Sequence, residues 1–159
     1  MAADHQKNSP PDYSAPDPDF EARGRASFAK QTMMTTLGAE ILTVRPGHVE
    51  IAMPFGAHIL QQHGFVHAAA LTAIVDTACG FAAMSMMPKG AGVLTTEFKM
   101  NLMSPGKGER FVAVGRVIKP GRQLMVTLGE CFAEEAGKRK LITLMTATMM
   151  VMNTPGIVD

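Results

Sequence analysis

The sequence predicts an α+β fold in which an antiparallel β-sheet of about six strands wraps around one long central helix, with a short helix before the first strand. The stretch from Val66 to about Met84 is apolar on nearly every side, and a helix of this kind is normally buried. Strand-like runs flank it on both sides, and the short turns between neighbouring runs imply antiparallel pairing. One flat sheet cannot cover such a helix, so the sheet must curl around it or a second subunit must complete the cover.

The composition fits one globular domain. The chain has 159 residues, of which 47% are hydrophobic and 18% are charged, and its formal net charge is +1. Chains of about 100–200 residues usually form one domain, and a nucleic-acid-binding surface would need a clustered basic excess that this sequence lacks. We expect a flexible N-terminal arm over residues 1–19, a single domain over 20–153 and a C-terminal tail over 154–159.

The sequence also bears on the cellular setting. Cys79 and Cys131 make no disulfide framework and have no metal-binding spacing. The N-terminus lacks the apolar core of a signal peptide. Both features indicate a reducing, cytoplasmic compartment. Polar residues inside the long helix, namely His67, Thr72 and Asp76, argue against a membrane span.

A short amphipathic helix is predicted over residues 20–34. Its charged residues, Arg23, Arg25 and Lys30, are expected on or near the solvent-facing side. Gly24 weakens this helix by about 1 kcal/mol relative to Ala.

Alternating apolar and polar residues mark the strands. In chain order the predicted strands are residues 37–44, 48–54, 93–102, 111–118, 124–133 and 141–152. Arg45-Pro46-Gly47 predicts a tight turn between the first two, because Pro presets φ and Gly accepts a positive φ. A loop over residues 55–65 leads into the long helix, and Pro88-Lys89-Gly90 ends it.

Asp76 is the residue of the long helix that stability alone does not explain. It is the only acidic residue there, and no Lys or Arg lies within a turn of it on either side. A buried carboxylate without a partner is costly, so it shifts its pKa or acquires hydrogen bonds. A structural Asp held by loop amides and a functional acid both fit these facts.

The residues around Asp76 resemble a known family. The pattern Gln61-x-His63-Gly64-x-x-His67-Ala68-Ala69-x-Leu71-x-x-x-x-Asp76 is similar to the signature of the hotdog-fold acyl-CoA thioesterases of the phenylacetate-degradation (PaaI-like) branch. That signature is an Asn or Gln, then His-Gly-Gly, then an acidic residue further along the helix. Segments 94–105 and 117–124 agree in order, so the resemblance covers about residues 37–152.

The resemblance implies a fold, an activity and an assembly. The fold would be a long antiparallel sheet around one helix. The activity would be hydrolysis of an acyl-CoA thioester to the free acid and CoA, with no cofactor apart from the CoA of the substrate. The assembly would be a homodimer with active sites at its interface, paired into a dimer of dimers, a homotetramer.

Catalytic roles also follow from the resemblance. Asp76 corresponds to the acid that acts as general base or nucleophile, a choice that the sequence leaves open. The Ala68 amide corresponds to the oxyanion donor at the helix N-terminus, where N–H groups are free. Gln61 corresponds to the polar amide that contacts the thioester or water, and Thr95 to a hydroxyl near the acid. Ala68 and Ala69 replace the two glycines of the family, which is the main departure.

Further residues are candidates for substrate binding. His67 corresponds to the histidine that shapes the loop and the helix start, and Thr96 neighbours the catalytic Thr. Lys119 and Arg122 flank a Pro-Gly turn that lies near the CoA nucleotide in the family, where cations can meet phosphates. The alternative for this turn is an ordinary solvated hairpin tip.

The remaining candidates concern metals, thiols and methionines. No metal site is predicted, because His63 and His67 have no third ligand at a standard spacing. His58 and His63 are expected in the loop, and Cys79 is expected as inert packing. The chain has 14 Met and no Trp, and five of these methionines are candidates for the wall of an acyl pocket: Met33, Met34, Met84, Met86 and Met87.

Two alternatives to hydrolysis stay open at this point. A protein with the same groove could bind acyl-CoA without hydrolysing it, which the replacement of Gly-Gly by Ala68-Ala69 would suit. A hotdog hydratase or dehydratase is a weaker alternative, because those relatives carry a different His and Asp arrangement and this sequence has no obvious match.

Overall fold

The computed structural model describes residues 12–154 and 156–157. In chain order its elements are α1 (Phe20–Phe28), α2 (Thr32–Thr36), β1 (Glu40–Arg45), β2 (His48–Pro54), a 3₁₀ turn (Ala57–Ile59), α3 (Ala68–Met84), β3 (Gly92–Leu102), β4 (Arg110–Lys119), β5 (Leu124–Glu135) and β6 (Lys138–Met152). Residues 1–11 of the predicted arm and residues 155, 158 and 159 of the predicted tail lie outside the described residues.

The six strands form one antiparallel sheet in the order β1-β2-β4-β5-β6-β3. The long helix α3 lies against its concave face, and its residues Ile74, Val75, Ala78 and Cys79 are fully buried. The structure therefore confirms the predicted sheet wrapped around one helix. Strand β3 is at an edge and pairs only with β6 among the described strands.

Two glycines let the helix lie this close to the sheet. A Cβ on Gly115 of β4 would lie 2.3 Å from the carbonyl of Ala78, and one on Gly129 of β5 would lie 2.5 Å from a methyl of Val75. Real side chains do not tolerate such contacts, so any larger residue would push α3 away from the centre of the sheet.

The predicted strands match the observed ones closely, except at the first. Predicted from residue 37, β1 begins at Glu40. Leu37 ends α2 instead, and Gly38 turns the chain with a φ of +63°. The predicted Pro46-Gly47 turn is present, with Gly47 at a φ of +69°.

The prediction of one helix over residues 20–34 was wrong, because the structure has two helices there. The N–H groups of Lys30 and Gln31 bond the carbonyls of Ser27 and Phe28, which tightens the last turn of α1. Gln31 is then extended, with ψ 99°, and α2 begins after it. Helical spacing of apolar residues does not reveal such a break.

The prediction that Arg23 faces solvent was also wrong. Its side chain is 9% exposed and pairs with Asp17, whose side chain is 2% exposed, at 3.4 Å. The guanidinium also donates to the carbonyls of Met84, Met87 and Pro88 at 3.0, 3.1 and 2.8 Å. Arg23 thus binds carbonyls at the C-terminal end of α3, where cations are favourable.

The described part of the predicted arm, residues 12–19, lies against the domain. Tyr13 packs on the core and contacts the carbonyl of Ile118 at 3.4 Å, and Asp17 is buried. No helix among residues 12–154 is both long and apolar enough to cross a membrane.

Candidate active site

The N-terminus of α3 presents an unused N–H group. The helix was predicted from Val66 but begins at Ala68, with His67 as its N-cap. The N–H groups of Val66 and His67 bond the carbonyls of Gly106 and Ile59, which keeps these two residues out of the helix. His67 Nδ1 accepts from the Ala69 N–H at 2.9 Å. No acceptor among the described residues bonds the Ala68 N–H.

The backbone here does not require glycine. Among the described non-glycine residues only Ala136 has a positive φ, so Ala68 and Ala69 have ordinary helical conformations. Their replacement of Gly-Gly costs no backbone strain, and Ala favours a helix by about 1 kcal/mol over Gly. The change from Gly to Ala at position 68 therefore leaves the backbone N–H in a helical conformation in which it can donate to an oxyanion.

Gln61 reaches the same place from the preceding loop. A tight turn closes between the N–H of Gln61 and the carbonyl of Phe65 at 2.8 Å, with Gly64 at a φ of +81°. The Gln61 Oε1 accepts from the His63 N–H, which orients the side chain. Its NH₂ group has no acceptor among the described residues and is available to a ligand.

Gln61 and Ala68 line one open cleft of about 520 Å³, which we call the Ala68 cleft. Its other residues are Gln62, Phe65, Val66, His67, Leu71, Leu102, Met103, Ser104, Pro105 and Gly106. It therefore combines an apolar surface with an amide donor from Gln61 and a backbone donor from Ala68, the arrangement that a carbonyl developing negative charge needs.

Asp76 lies in the middle of α3 and meets Thr95 of β3. The Thr95 hydroxyl donates to Asp76 Oδ1 at 2.8 Å. Burial raises the pKa of Asp76 above the ordinary aspartate value, and the hydrogen bond from Thr95 opposes that rise. The carboxylate is half-buried, has no ion-pair partner among the described residues, and is therefore a better proton acceptor than an exposed Asp.

Asp76 and Thr95 line a second cleft of about 240 Å³, which we call the Asp76 cleft. Its other residues are Ser27, Gln31, Thr77, Gly80, Phe81, Val93 and Leu94. Sequence reasoning missed Ser27 and Gln31. Their spacing of four on a predicted helix hinted at a shared face, but nothing indicated that this face meets Asp76.

The two clefts do not share residues within one chain. Ala68 and Asp76 are eight residues apart, which is about 12 Å along a helix axis. A single thioester carbonyl cannot contact both groups of the same helix. One chain thus brings together Gln61 with Ala68 and Asp76 with Thr95, but it does not bring the pairs together.

Other predicted binding residues lie elsewhere. Thr96 is exposed and donates to the carbonyl of Thr148 at 3.0 Å, and it lines neither cleft. Ala69 lines a separate apolar cleft of about 270 Å³ with Met33 and His58. Lys119 and Arg122 flank the β4–β5 turn, at the end of β4 away from the Ala68 cleft.

The thiol and most of the methionines belong to the core. Cys79 is fully buried, and this burial raises the pKa of its thiol to about 12, as expected of a packing residue. Met34, Met84 and Met87 are buried in the core and Met86 packs against it, so of the five candidates only Met33 lines a cleft described here. No group of three potential metal ligands occurs among the described residues.

Known proteins match both the sequence and the structure. Residues 63–140 match the model of the Thioesterase superfamily. A thioesterase family protein from Silicibacter pomeroyi is 46% identical, over 84% of this chain and 98% of that one, with a TM-score of 0.82. Comparison with curated proteins gave no match.

More distant structures share the fold. The PaaI protein of the phenylacetic acid degradation operon of Escherichia coli is 20% identical over 83% of this chain and 92% of that one, with a TM-score of 0.75. A mutant of a thioesterase from Staphylococcus aureus is 24% identical over 77% of this chain and 99% of that one, with a TM-score of 0.71.

The identity to the Silicibacter pomeroyi protein extends over nearly all of that protein, and the two structures share the fold. The chain therefore belongs to the thioesterase superfamily, has the hotdog fold and is a thioester hydrolase.

Proposed function

We propose that this protein is an acyl-CoA thioesterase that hydrolyses an acyl-CoA to the free acid and CoA. The observation that carries the proposal is the half-buried Asp76, whose pKa is raised by burial and whose Oδ1 is held by the Thr95 hydroxyl. The unused N–H of Ala68 supplies the complementary donor for an oxyanion.

The proposal requires two copies of the chain. Strand β3 is an edge strand of 11 residues and lines the Asp76 cleft with Val93, Leu94 and Thr95. Its exposed apolar side chains include Leu94, Phe98 and Leu102, at 44%, 47% and 55% exposure. A long apolar edge of this kind is a template for strand pairing.

Pairing of two β3 strands by a two-fold axis makes the two α3 helices antiparallel. The N-terminus of one helix then faces the middle of the other, so Ala68 and Gln61 of one chain meet Asp76 and Thr95 of its partner. A homodimer would have two such sites. The pairing of dimers into a tetramer stays a prediction.

In the proposed reaction Asp76 acts on the thioester carbonyl that the Ala68 N–H polarises. In the general-base route, Asp76 takes a proton from water and the oxygen adds to the carbonyl carbon. The C–S bond then breaks, and the CoA sulfur leaves with a proton. In the nucleophilic route, Asp76 itself adds to the carbonyl carbon, the C–S bond breaks and the CoA thiolate leaves and takes up a proton. Water then hydrolyses the resulting anhydride to the free acid and the Asp76 carboxylate.

The spacing of the two polar residues supports the assignment. The Staphylococcus aureus protein has been studied as one mutant that replaces a glutamine and another that replaces a glutamate fifteen positions later. Gln61 and Asp76 of this chain are also fifteen residues apart.

The test is release of free thiol from short, medium, long and aromatic acyl-CoAs. Asp76→Asn should lower kcat by about 10²–10⁴, the usual contribution of a general base. Asp19→Asn is the matched control, because Asp19 is exposed and lies outside both clefts. Equal turnover by Asp76→Asn and the wild type would refute the role of Asp76. Binding of acyl-CoA by the wild type without turnover would favour the non-hydrolytic alternative.

A single turnover in ¹⁸O-labelled water separates the two routes. In the nucleophilic route, water that attacks the Asp76 carboxyl carbon of the anhydride places the label in the Asp76 carboxylate, so label in Asp76 identifies this route. In the general-base route the label enters only the released acid. Mass spectrometry of the peptide that contains Asp76 measures the difference.

A further inference from the structure

A fourth cavity adjoins the Ala68 cleft and carries a cluster of lysines. It has a volume of about 400 Å³, and we call it the lysine pocket. Its lining residues are Phe65, Pro105, Lys107, Ala133, Glu135, Lys138, Lys140 and Ile142. It shares Phe65 and Pro105 with the Ala68 cleft, so a ligand could pass from one to the other around these two residues.

A register shift in the sheet directs two of the lysines into this pocket. The pairing of β5 with β6 shifts between Cys131 and Phe132, where β6 carries an extra residue. Beyond the shift, Lys140 pairs with the buried Ala133, and Ile142 is 1% exposed. Because side chains alternate along a strand, Lys138 and Lys140 share the inner face with Ile142.

The third lysine comes from the loop before β4. Lys107 follows Gly106, whose carbonyl accepts from the Val66 N–H at 2.9 Å. This bond fixes the loop beside the start of α3. Lys107 is therefore held between the lysine pocket and the residues that line the Ala68 cleft.

The charges of these lysines are not neutralised by the protein. Among residues 12–154, no carboxylate lies within salt-bridge distance of Lys107, Lys138 or Lys140. The neighbouring Arg110 and Arg139, by contrast, do have an ion-pair partner, because they lie 2.8 and 3.9 Å from Glu134. Glu135 is the acid among the pocket residues, which leaves a net charge of +2 on its lining.

We propose that Lys107, Lys138 and Lys140 bind the phosphates of the CoA moiety whose thioester lies in the Ala68 cleft of the same chain. Three ammonium groups that have no ion-pair partner in the described part of the chain lie beside apolar lining residues. Such groups can bind a multiply charged phosphate and compensate for the hydration that it loses. The inference rests on the proposed function, because it takes CoA as the leaving group. It differs from the expectation for Lys119 and Arg122, which lie at the other end of β4.

The kinetic test compares an acyl-CoA with the corresponding acyl-pantetheine, which has no phosphate. In the triple variant Lys107→Gln, Lys138→Gln, Lys140→Gln, KM for the acyl-CoA should rise about tenfold or more, because charge-assisted contacts to phosphate are lost. The kcat should change little, and KM for the acyl-pantetheine should stay the same. The matched control is Lys30→Gln with Lys89→Gln, which should leave both KM values unchanged, because both lysines are exposed and line none of these cavities.

Two kinetic outcomes would overturn the inference. One is an unchanged KM for the acyl-CoA in the triple variant. The other is an equal rise for both substrates, which would indicate damage to the cleft rather than loss of phosphate binding. A rise in KM for the acyl-CoA in Lys119→Gln with Arg122→Gln, but not in the triple variant, would assign the phosphates to the β4–β5 turn instead.

Calorimetric binding of CoA, dephospho-CoA and pantetheine provides a readout without turnover. The wild type should bind CoA more tightly than pantetheine, and the triple variant should lose that difference. Dephospho-CoA separates the 3′-phosphate from the pyrophosphate. If the wild type binds CoA through these lysines but hydrolyses nothing, the proposed function fails and the lysine site stands. If it hydrolyses acyl-CoA but the triple variant binds CoA as the wild type does, the lysine site fails alone.

Discussion

Ala68 is the residue on which hydrolysis depends in the proposed site, and its position allows a direct test. It is the first residue of α3, where Pro is well tolerated because the N–H has no helical acceptor. The preceding residue, His67, has φ −62° and ψ 137°, which suits a residue before Pro. Ala68→Pro therefore removes the proposed oxyanion donor and little else.

The expected result of Ala68→Pro is a fall in kcat of about 10²–10³, the usual cost of one oxyanion donor. The thermal unfolding temperature should change little. Ala68→Gly keeps the N–H and should hydrolyse far faster than Ala68→Pro. Comparable kcat values for the two variants would show that the Ala68 N–H does not serve the reaction.

Asp76 should reduce the stability of the fold at neutral pH. Its pKa is raised in the folded chain because burial disfavours the carboxylate. As the pH rises from the ordinary aspartate pKa to the raised value, the unfolded chain loses this proton first, so the free energy of unfolding falls. Below that window both states hold the proton and the penalty is absent.

The comparison of Asp76→Asn with the wild type measures this penalty. Relative to the wild type, the variant should gain stability as the pH rises through the window and keep that gain at neutral pH. Urea unfolding at a series of pH values gives the difference. A stability difference that is independent of pH would mean that burial does not raise the pKa of Asp76.

At the residue scale, the sequence predicts the spacing of the residues around the start of α3, but it does not predict which residues distant in sequence bind each other. Gln61, Ala68 and Asp76 stand at recognisable spacings in one continuous stretch. Arg23 resembled a solvent-facing residue of an amphipathic helix, because the carbonyls that it binds are more than sixty residues away in sequence. No local pattern encodes such a contact.

Arg23 of helix α1 binds the C-terminal end of α3, in addition to the packing of Phe28 on Phe81. Arg23→Met would leave the buried Asp17 carboxylate unpaired and free three carbonyls. We expect the free energy of unfolding to fall by about 3 kcal/mol or more, as when one partner of a buried pair is removed. Denaturant unfolding measures the loss.

Two further variants identify the cause of that loss. Arg25→Met should cost less than about 0.5 kcal/mol, because the Arg25–Glu21 pair is exposed. Asp17→Asn combined with Arg23→Met should recover part of the stability by removing the unpaired charge. If the double variant is no more stable than Arg23→Met, the bonds to the α3 carbonyls account for the loss.

At the scale of elements, periodicity predicted the types and most of the boundaries. It did not predict the breaks in regularity. Strand β6 carries Met145, Ala147 and Met149 on its inner face, and a strict alternation would then direct Lys138 and Lys140 outward. The extra residue opposite Cys131 and Phe132 shifts the alternation by one position, so Lys138 and Lys140 lie on the inner face instead. A bulge of this kind has no reliable signal in the sequence.

At the scale of the whole molecule, the proposed site draws one half of its residues from each of two chains. The prediction of the α+β fold followed from a helix that is apolar on nearly every side, because a flat sheet cannot cover such a helix. The separation of Ala68 from Asp76 by about 12 Å also follows from helix geometry once the start of α3 is known. In the proposed dimer the exposed edge of β3 closes this gap. Its apolar residues look like ordinary strand residues in the sequence.

Subunit complementation tests whether the site spans two chains. Asp76→Asn and Ala68→Pro should each be inactive as a homodimer, because each damages both sites. A mixed dimer has one intact site, formed by Asp76 of the Ala68→Pro chain and Ala68 of the Asp76→Asn chain. Co-expression should restore about a quarter of the wild-type activity per chain, because half of randomly formed two-fold dimers are mixed and half of their sites are intact.

Two controls complete the complementation test. Mixing the two purified variants under conditions where subunits do not exchange should restore no activity.

Phe98→Lys on the edge of β3 should lower the mass in solution from a multiple of the 17.0 kDa chain to that of the monomer. It should also abolish turnover, although it alters neither Asp76 nor Ala68. Full activity of a monomeric Phe98→Lys variant, or no recovery on co-expression, would mean that the thioester is hydrolysed within one chain by a different pair of groups.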